Sequence, residues 1–156
     1  MKKYLVIGKP INHSLSPKLH NYWLKKNNID AVYDKKKLEE NEIQNIISEV
    51  KDEKVNGLNV TVPFKKAVIP HLDELTNTAS TTESVNTIYL KNKKVVGDNT
   101  DIIGFEKAID HIKYKVLGKK ILILGAGGVV PSIIFALKKN GAEQIILSNR
   151  TKEKAQ

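Results

Sequence analysis

Apolar positions along the chain switch between two periods, and the switches predict alternating strands and helices. Residues 4–8 (Y-L-V-I-G) are continuously apolar, as in a strand buried on both faces. Ser16-Pro17 beyond them reads as a helix start, because serine can cap and proline suits the first helical turn. That helix is expected to reach Asn27-Asn28, with extended chain resuming over residues 31–33. Ile43, Ile46, Ile47 and Val50 fall at helical spacing, whereas residues 57–62 alternate like a strand and stop at Pro63. Strand-helix alternation of this kind predicts a parallel α/β layer.

A hairpin is predicted next, residues 85–90 pairing with Val95-Val96 across a turn at 91–94 that has no glycine. Residues 101–112 follow as a helix with Ile102, Phe105 and Ile109 on one side, and residues 113–118 are the best linker. Beyond it, 121–124 reads as a buried strand, 129–139 as a helix stopped by Asn140-Gly141, and 144–147 as another strand: one βαβ unit and no more. The expected fold is therefore α/β, an N-terminal parallel α/β domain (1–112), a linker (113–118) and the first βαβ unit of a Rossmann-type fold (119–156).

Composition narrows the function classes. At 156 residues with 40% hydrophobic and 28% charged content the chain can bury one good core or two small ones. It has no cysteine, which excludes disulfides, a thiolate metal site and a cysteine nucleophile, and no metal site is expected. Cytoplasm is the expected compartment, since no apolar run approaches the length of a signal core or a membrane span. A formal charge of +9 raises the question of nucleic acid. The lysines are scattered in pairs such as Lys25-Lys26 and Lys138-Lys139, without interleaved aromatics, so neither nucleic acid nor a membrane is an expected partner.

The chemistry concentrates in loops. Gly125-Ala126-Gly127-Gly128 lies between an apolar strand and an apolar helix, where backbone N–H groups and a helix N-terminus can face a pyrophosphate. The chain's only arginine, Arg150, follows roughly twenty residues later, where such folds discriminate between cofactors, and no acidic group stands there to accept a ribose hydroxyl. A guanidinium grips a phosphate through two parallel bonds, so NADP is the expected cofactor. Three polar clusters occupy the expected strand ends: Asn12-His13-Ser14-Leu15-Ser16-Pro17, Asn59-Val60-Thr61-Val62-Pro63-Phe64-Lys65, and Gly97-Asp98-Asn99-Thr100-Asp101. Taken singly, Ser16 and Asp101 could be only helix caps and Lys65 only a solvated twin of Lys66. Together, their hydroxyls, amides, one cation and one anion suit a polyhydroxylated carboxylate.

These motifs, with Val85-Asn86-Thr87-Ile88 and Asn149-Arg150-Thr151, occur in the order seen in the shikimate dehydrogenase family, which the chain resembles over nearly its whole length. The resemblance implies NADPH-dependent reversible reduction of 3-dehydroshikimate to shikimate, in chorismate and aromatic amino acid biosynthesis. It implies that Ser14 and Ser16 bind the substrate carboxylate, that Thr61, Lys65, Asn86 and Asp101 surround the ring hydroxyls with Asn59 an outer member, and that Lys65 and Asp101 are the catalytic pair. Gly125, Ala126, Gly127, Gly128, Val129, Asn149, Arg150, Thr151 and Lys154 are the implied NADP contacts, and the resemblance leaves a homodimer open. A quinate-accepting relative and a shikimate-binding module without turnover are the alternatives.

The chain departs from the family in several places. Thr82-Glu83-Ser84 stands where an Ile-Gly-Ala type segment is usual, Asn77 where an acidic residue is frequent, and Val130-Pro131 where small residues follow the glycine loop. Members also continue well beyond residue 156, with the rest of the nucleotide sheet and a terminal helix carrying a substrate-binding glutamine. A partial nucleotide domain with an open apolar strand edge is the expectation for these residues.

Overall fold

The computed structural model describes residues 1–151 and Glu153, and the chain divides into two compact units, Met1–Asp98 and Asn99–Gln156. This division falls ahead of the linker expected at 113–118, so the helix that begins at Asp101 groups with the second unit.

The first unit is built on a six-stranded sheet. Its strands are β1 (Lys2–Gly8), β2 (Ala31–Lys37), β3 (Gly57–Val60), β4 (Glu74–Leu75), β5 (Thr87–Lys91) and β6 (Lys94–Asp98), in the order β2-β1-β3-β5-β6-β4. β1 runs parallel to both β2 and β3, whereas β5 is antiparallel to β3 and to β6. The predicted hairpin therefore joins the same sheet and makes it mixed. Its turn needs no glycine because Asn92 and Lys93 themselves take φ of 52° and 64°, the left-handed pair that two-residue hairpin turns require.

One face of this sheet carries the main core. Helix α2 (Ile43–Lys51) buries Ile43, Ile46, Ile47 and Val50, the four residues whose spacing predicted it, against a cluster with Leu5, Ile7, Leu58, Val60, Ile88 and Val95. Burying each such side chain stabilises by about 1.5–3 kcal/mol. The other face is held by helix α1 (Ser16–Lys26), where Tyr33, Val6 and Ile11 are buried with Tyr4 and Leu24 beside them. Ser16 is the first residue of α1 and makes no side-chain cap; the Ser14 hydroxyl instead accepts the Ser16 N–H at 3.3 Å.

Strand β4 and helix α3 (Asn77–Thr82) were not foreseen; α3 is capped by the Thr76 hydroxyl, which accepts the Ala79 N–H at 3.3 Å. Neither is long enough to show a period in its side chains.

The second unit contains α4 (Asp101–His111), β7 (Lys120–Leu124), α5 (Val130–Lys139) and β8 (Gln144–Ser148), with β7 and β8 parallel and in register from Lys120↔Gln144 to Leu124↔Ser148. This is the βαβ unit the sequence predicts, and α4 packs beside α5. The expectation of a buried strand at 121–124 does not hold. Ile121 and Ile123 are half-buried, but Leu122 and Leu124 are 58% and 78% exposed, as is Ile146 at 49%. An apolar run reports preference for burial, and among the described residues no layer covers that face.

Candidate active site

Parallel pairing places the C-terminal ends of β1 and β3 at one edge of the sheet, and antiparallel pairing brings the start of β5 and the end of β6 to the same edge. The loop carrying Ser14 and Ser16, the loop carrying Thr61 and Lys65, and Asn86 therefore gather at one end of the first unit. Backbone bonds stitch these segments together. The Lys9 N–H donates to the Val62 carbonyl at 2.9 Å, Thr61 N–H to Ile7 at 3.0 Å, Val60 N–H to Asn86 at 2.8 Å and Val85 N–H to Lys65 at 2.9 Å. Gly8 allows a close approach, since a Cβ there would meet Thr61 Cγ2 at 2.6 Å and the Val62 carbonyl at 3.0 Å.

Asn59 faces a different group of side chains. Tyr33 is buried and its desolvation pushes the phenol well above its ordinary pKa, so the hydroxyl stays protonated and serves as a donor. It donates to Asn59 Oδ1 at 2.6 Å. Asn59 Nδ2 then donates to the Asn86 carbonyl at 3.2 Å and to Thr87 Oγ1 at 3.3 Å, and Thr87 Oγ1 donates to Asn86 Oδ1 at 2.9 Å. The polarity of this relay is set at its buried end. It fixes which way the Asn86 amide is turned: with Oδ1 engaged by Thr87, the other end of the group is a donor. Tyr33 is itself clamped by Asn21, which accepts its N–H at 2.9 Å and donates to its carbonyl at 2.7 Å, and His20 stacks on its ring at 4.2 Å between centroids. Tyr33, Asn21 and Thr87 were not among the sequence candidates. Thr87 lay inside a motif already singled out, but Tyr33 and Asn21 carry no local signal.

Asp98, at the end of β6, accepts from Thr76 Oγ1 at 2.6 Å and from Thr78 Oγ1 at 3.1 Å, which pins the start of α3 to the sheet. At the other end of α3, Glu83 sits at φ +45° and accepts from Lys66 Nζ at 2.7 Å; the ammonium holds its carboxyl below the usual range. A glycine would take that left-handed conformation without strain. In the second unit Asp101 opens α4, and its N–H donates to Asn99 Oδ1 at 3.0 Å.

The glycine loop fits a pyrophosphate. Gly125 takes φ +102°, which a side chain would strain, and positions where Cβ atoms would stand on Gly125 and Gly127 are open for 4 Å. The loop is braced from β8: the Gly125 N–H donates to the Ser148 carbonyl at 2.7 Å and the Ala126 N–H to Asn149 Oδ1 at 3.2 Å. Asn149 Nδ2 donates in turn to the Thr151 carbonyl at 2.7 Å. Arg150 lies exposed between them, and Val129 immediately precedes α5. Lys154 lies outside the described residues.

A mixed α/β layer with polar groups collected at its strand ends, followed by a glycine-loop βαβ unit, defines a two-unit α/β protein with a Rossmann-type βαβ start. Residues 6–88 match the family model for the shikimate dehydrogenase substrate binding domain, and residues 106–156 match that for shikimate / quinate 5-dehydrogenase. The chain belongs to the shikimate dehydrogenase family. It is 58% identical over 154 residues to the shikimate dehydrogenase (NADP(+)) of Pelagibacter ubique, covering 99% of this chain and 58% of that one. The crystal structure of shikimate dehydrogenase from Aquifex aeolicus superposes with a TM-score of 0.92 at 44% identity, over 99% of this chain and 58% of that chain. The Thermus thermophilus enzyme in complex with NADP(H) and shikimate does so with a TM-score of 0.89 at 32% identity, again over 99% and 58%. The chain thus spans under three fifths of the length of these relatives. Among its described residues no helix is long and apolar enough to cross a membrane.

Proposed function

We propose that this chain carries the substrate site, and the first part of the NADP site, of a shikimate dehydrogenase that interconverts 3-dehydroshikimate and shikimate. The observation that supports this most directly is the convergence of Ser14, Ser16, Thr61, Lys65 and Asn86 at one sheet end, with the Asn86 amide oriented through Asn59. Hydroxyls at Ser14 and Ser16 suit a carboxylate, and the donors of Thr61 and Asn86 suit ring hydroxyls. Asn59 acts here by holding Asn86.

We assign catalysis to Lys65 and Asp101. NADPH supplies a hydride when bound, leaving negative charge on the substrate oxygen. The Lys65 ammonium stabilises that charge and delivers a proton to it; in the reverse direction the amine takes the proton back. Gly125, Ala126, Gly127, Gly128 and Val129 would hold the pyrophosphate, while Asn149, Arg150 and Thr151 would hold the 2′-phosphate. The domain boundaries of this reading are 1–112 for substrate and 119–156 for nucleotide. Cytoplasmic residence and a homodimer belong to the same reading.

The experiment is to incubate the 156-residue chain with 3-dehydroshikimate and NADPH, follow nicotinamide absorbance, and titrate shikimate separately by calorimetry. Shikimate binding supports the substrate site; binding without loss of absorbance selects the non-catalytic module; no binding overturns the substrate assignment.

A further inference from the structure

We propose that Asn99 is a positioning residue that ties the helix following the glycine loop to the backbone of Asp101, with Ser132 as its anchor. The proposal rests on the reading of residues 125–128 as the pyrophosphate loop and of Asp101 as catalytic. Asn99 is 1% exposed and Ser132 is fully buried. Asn99 Nδ2 donates to Ser132 Oγ at 2.8 Å, and its Oδ1 accepts the Asp101 N–H at 3.0 Å. Ser132 is the third residue of α5 and Asp101 the first of α4, so one planar amide joins the first turns of two packed helices.

The geometry does more than satisfy buried polar groups. Both bonds leave the two ends of a single rigid amide, so reorienting it at Ser132 also moves the acceptor that holds the Asp101 N–H. The α5 first turn is also the segment a pyrophosphate on the glycine loop would draw upon, because the loop leads directly into it. A ligand there that favours one placement of this turn favours, through Asn99, one placement of Asp101, and the coupling is reciprocal. An apolar pair would fill the same space without transmitting direction. Ser132 was no sequence candidate; it follows the unusual Val130-Pro131 step, and only the tertiary fold brings it to Asn99.

The test uses the full chain and two variants, Ser132→Ala and Ser132→Thr, the second of which keeps the hydroxyl. Amide hydrogen exchange of Asp101 is measured by NMR against that of Ala136 in α5. Ser132→Ala is expected to speed Asp101 exchange about three- to tenfold relative to Ala136, the worth of one ordinary hydrogen bond, while Ser132→Thr stays near the parent. Titration with NADP+ is expected to shift the Asp101 amide resonance in the parent and in Ser132→Thr but not in Ser132→Ala. Equal acceleration at Asp101 and Ala136 would reveal a merely structural staple and overturn the proposal, as would an NADP+ response at Asp101 that survives in Ser132→Ala. If the parent's glycine-loop amides do not respond to NADP+, the cofactor reading fails and the coupling fails with it, whereas the exchange comparison separately decides the positioning.

Discussion

The Tyr33 hydroxyl donates to Asn59 Oδ1 at 2.6 Å, and through that bond a residue of β2 controls an amide on the far side of β3. Tyr33→Phe leaves the ring and its stack with His20 in place but removes the proton that sets the direction of the relay. Shikimate affinity is expected to fall about three- to tenfold, with a stability loss of about 1 kcal/mol. Calorimetry and thermal melting check the two together. A stability loss with unchanged affinity would reduce the relay to a structural role.

Thr61 stands so near Gly8 that a side chain at position 8 would collide with it. Gly8→Ala would place a methyl 2.6 Å from Thr61 Cγ2, with the Val62 carbonyl at 3.0 Å leaving little room to yield. A destabilisation of about 1–3 kcal/mol is expected, accompanied by weaker shikimate binding because Thr61 must move. Denaturant titration reads the first and calorimetry the second.

Lys93 occupies a left-handed position at φ +64° in the β5–β6 turn, directly after Asn92 at φ +52°. Lys93→Gly creates the Asn-Gly pair favoured in such turns and is expected to stabilise by about 0.5–1 kcal/mol. Glu83→Gly relieves similar strain but also removes an ion pair to Lys66 whose partners are 78% and 69% exposed. Water screens an exposed pair and leaves it a small contribution, so the gain there should be the smaller of the two. Thermal melts of both variants give the ranking.

His20 is stacked on Tyr33 and set edge-on to Trp23 at 5.5 Å, and burial lowers its pKa from the ordinary 6.5. Between the lowered folded value and 6.5 the unfolded chain binds more protons than the folded one, so stability rises with pH through that window and is lost on acidification through it. His20→Phe, which keeps an aromatic ring but cannot be protonated, should flatten that part of the stability profile. An unchanged slope below pH 6.5 would remove His20 as its source.

Arg150 is the chain's single guanidinium and follows Asn149, the residue that braces the glycine loop. Arg150→Asp should weaken NADP+ binding about 10- to 100-fold, the value of a charge-assisted contact, while NAD+ binding changes little. Parallel titrations with the two cofactors measure the ratio; an unaltered ratio would take Arg150 out of cofactor choice.

How much of this was legible beforehand varies element by element. Helix α2 was readable because four isoleucine and valine positions repeat at the helical period, and all four are buried. The glycine loop was readable as the turn between a strand and a helix because the βαβ pattern around it is local in sequence. Strand β4 and helix α3 were not, since a two-residue strand held by neighbours and a six-residue helix capped by Thr76 have no period to display. The run at 121–124 misled for a related reason: it records the preference of each residue for burial, while the covering layer must come from elsewhere.

Sequence alone was sufficient for the family and the α/β class, because each is written in residue type and local spacing. The tertiary structure decided which polar groups are oriented and by what. Tyr33 and Asn59 are 26 residues apart and Asn99 and Ser132 are 33 apart; only chain folding brings such donors and acceptors within hydrogen-bonding reach. A hydrogen bond depends on that distance and angle, and neither is encoded at either position by itself.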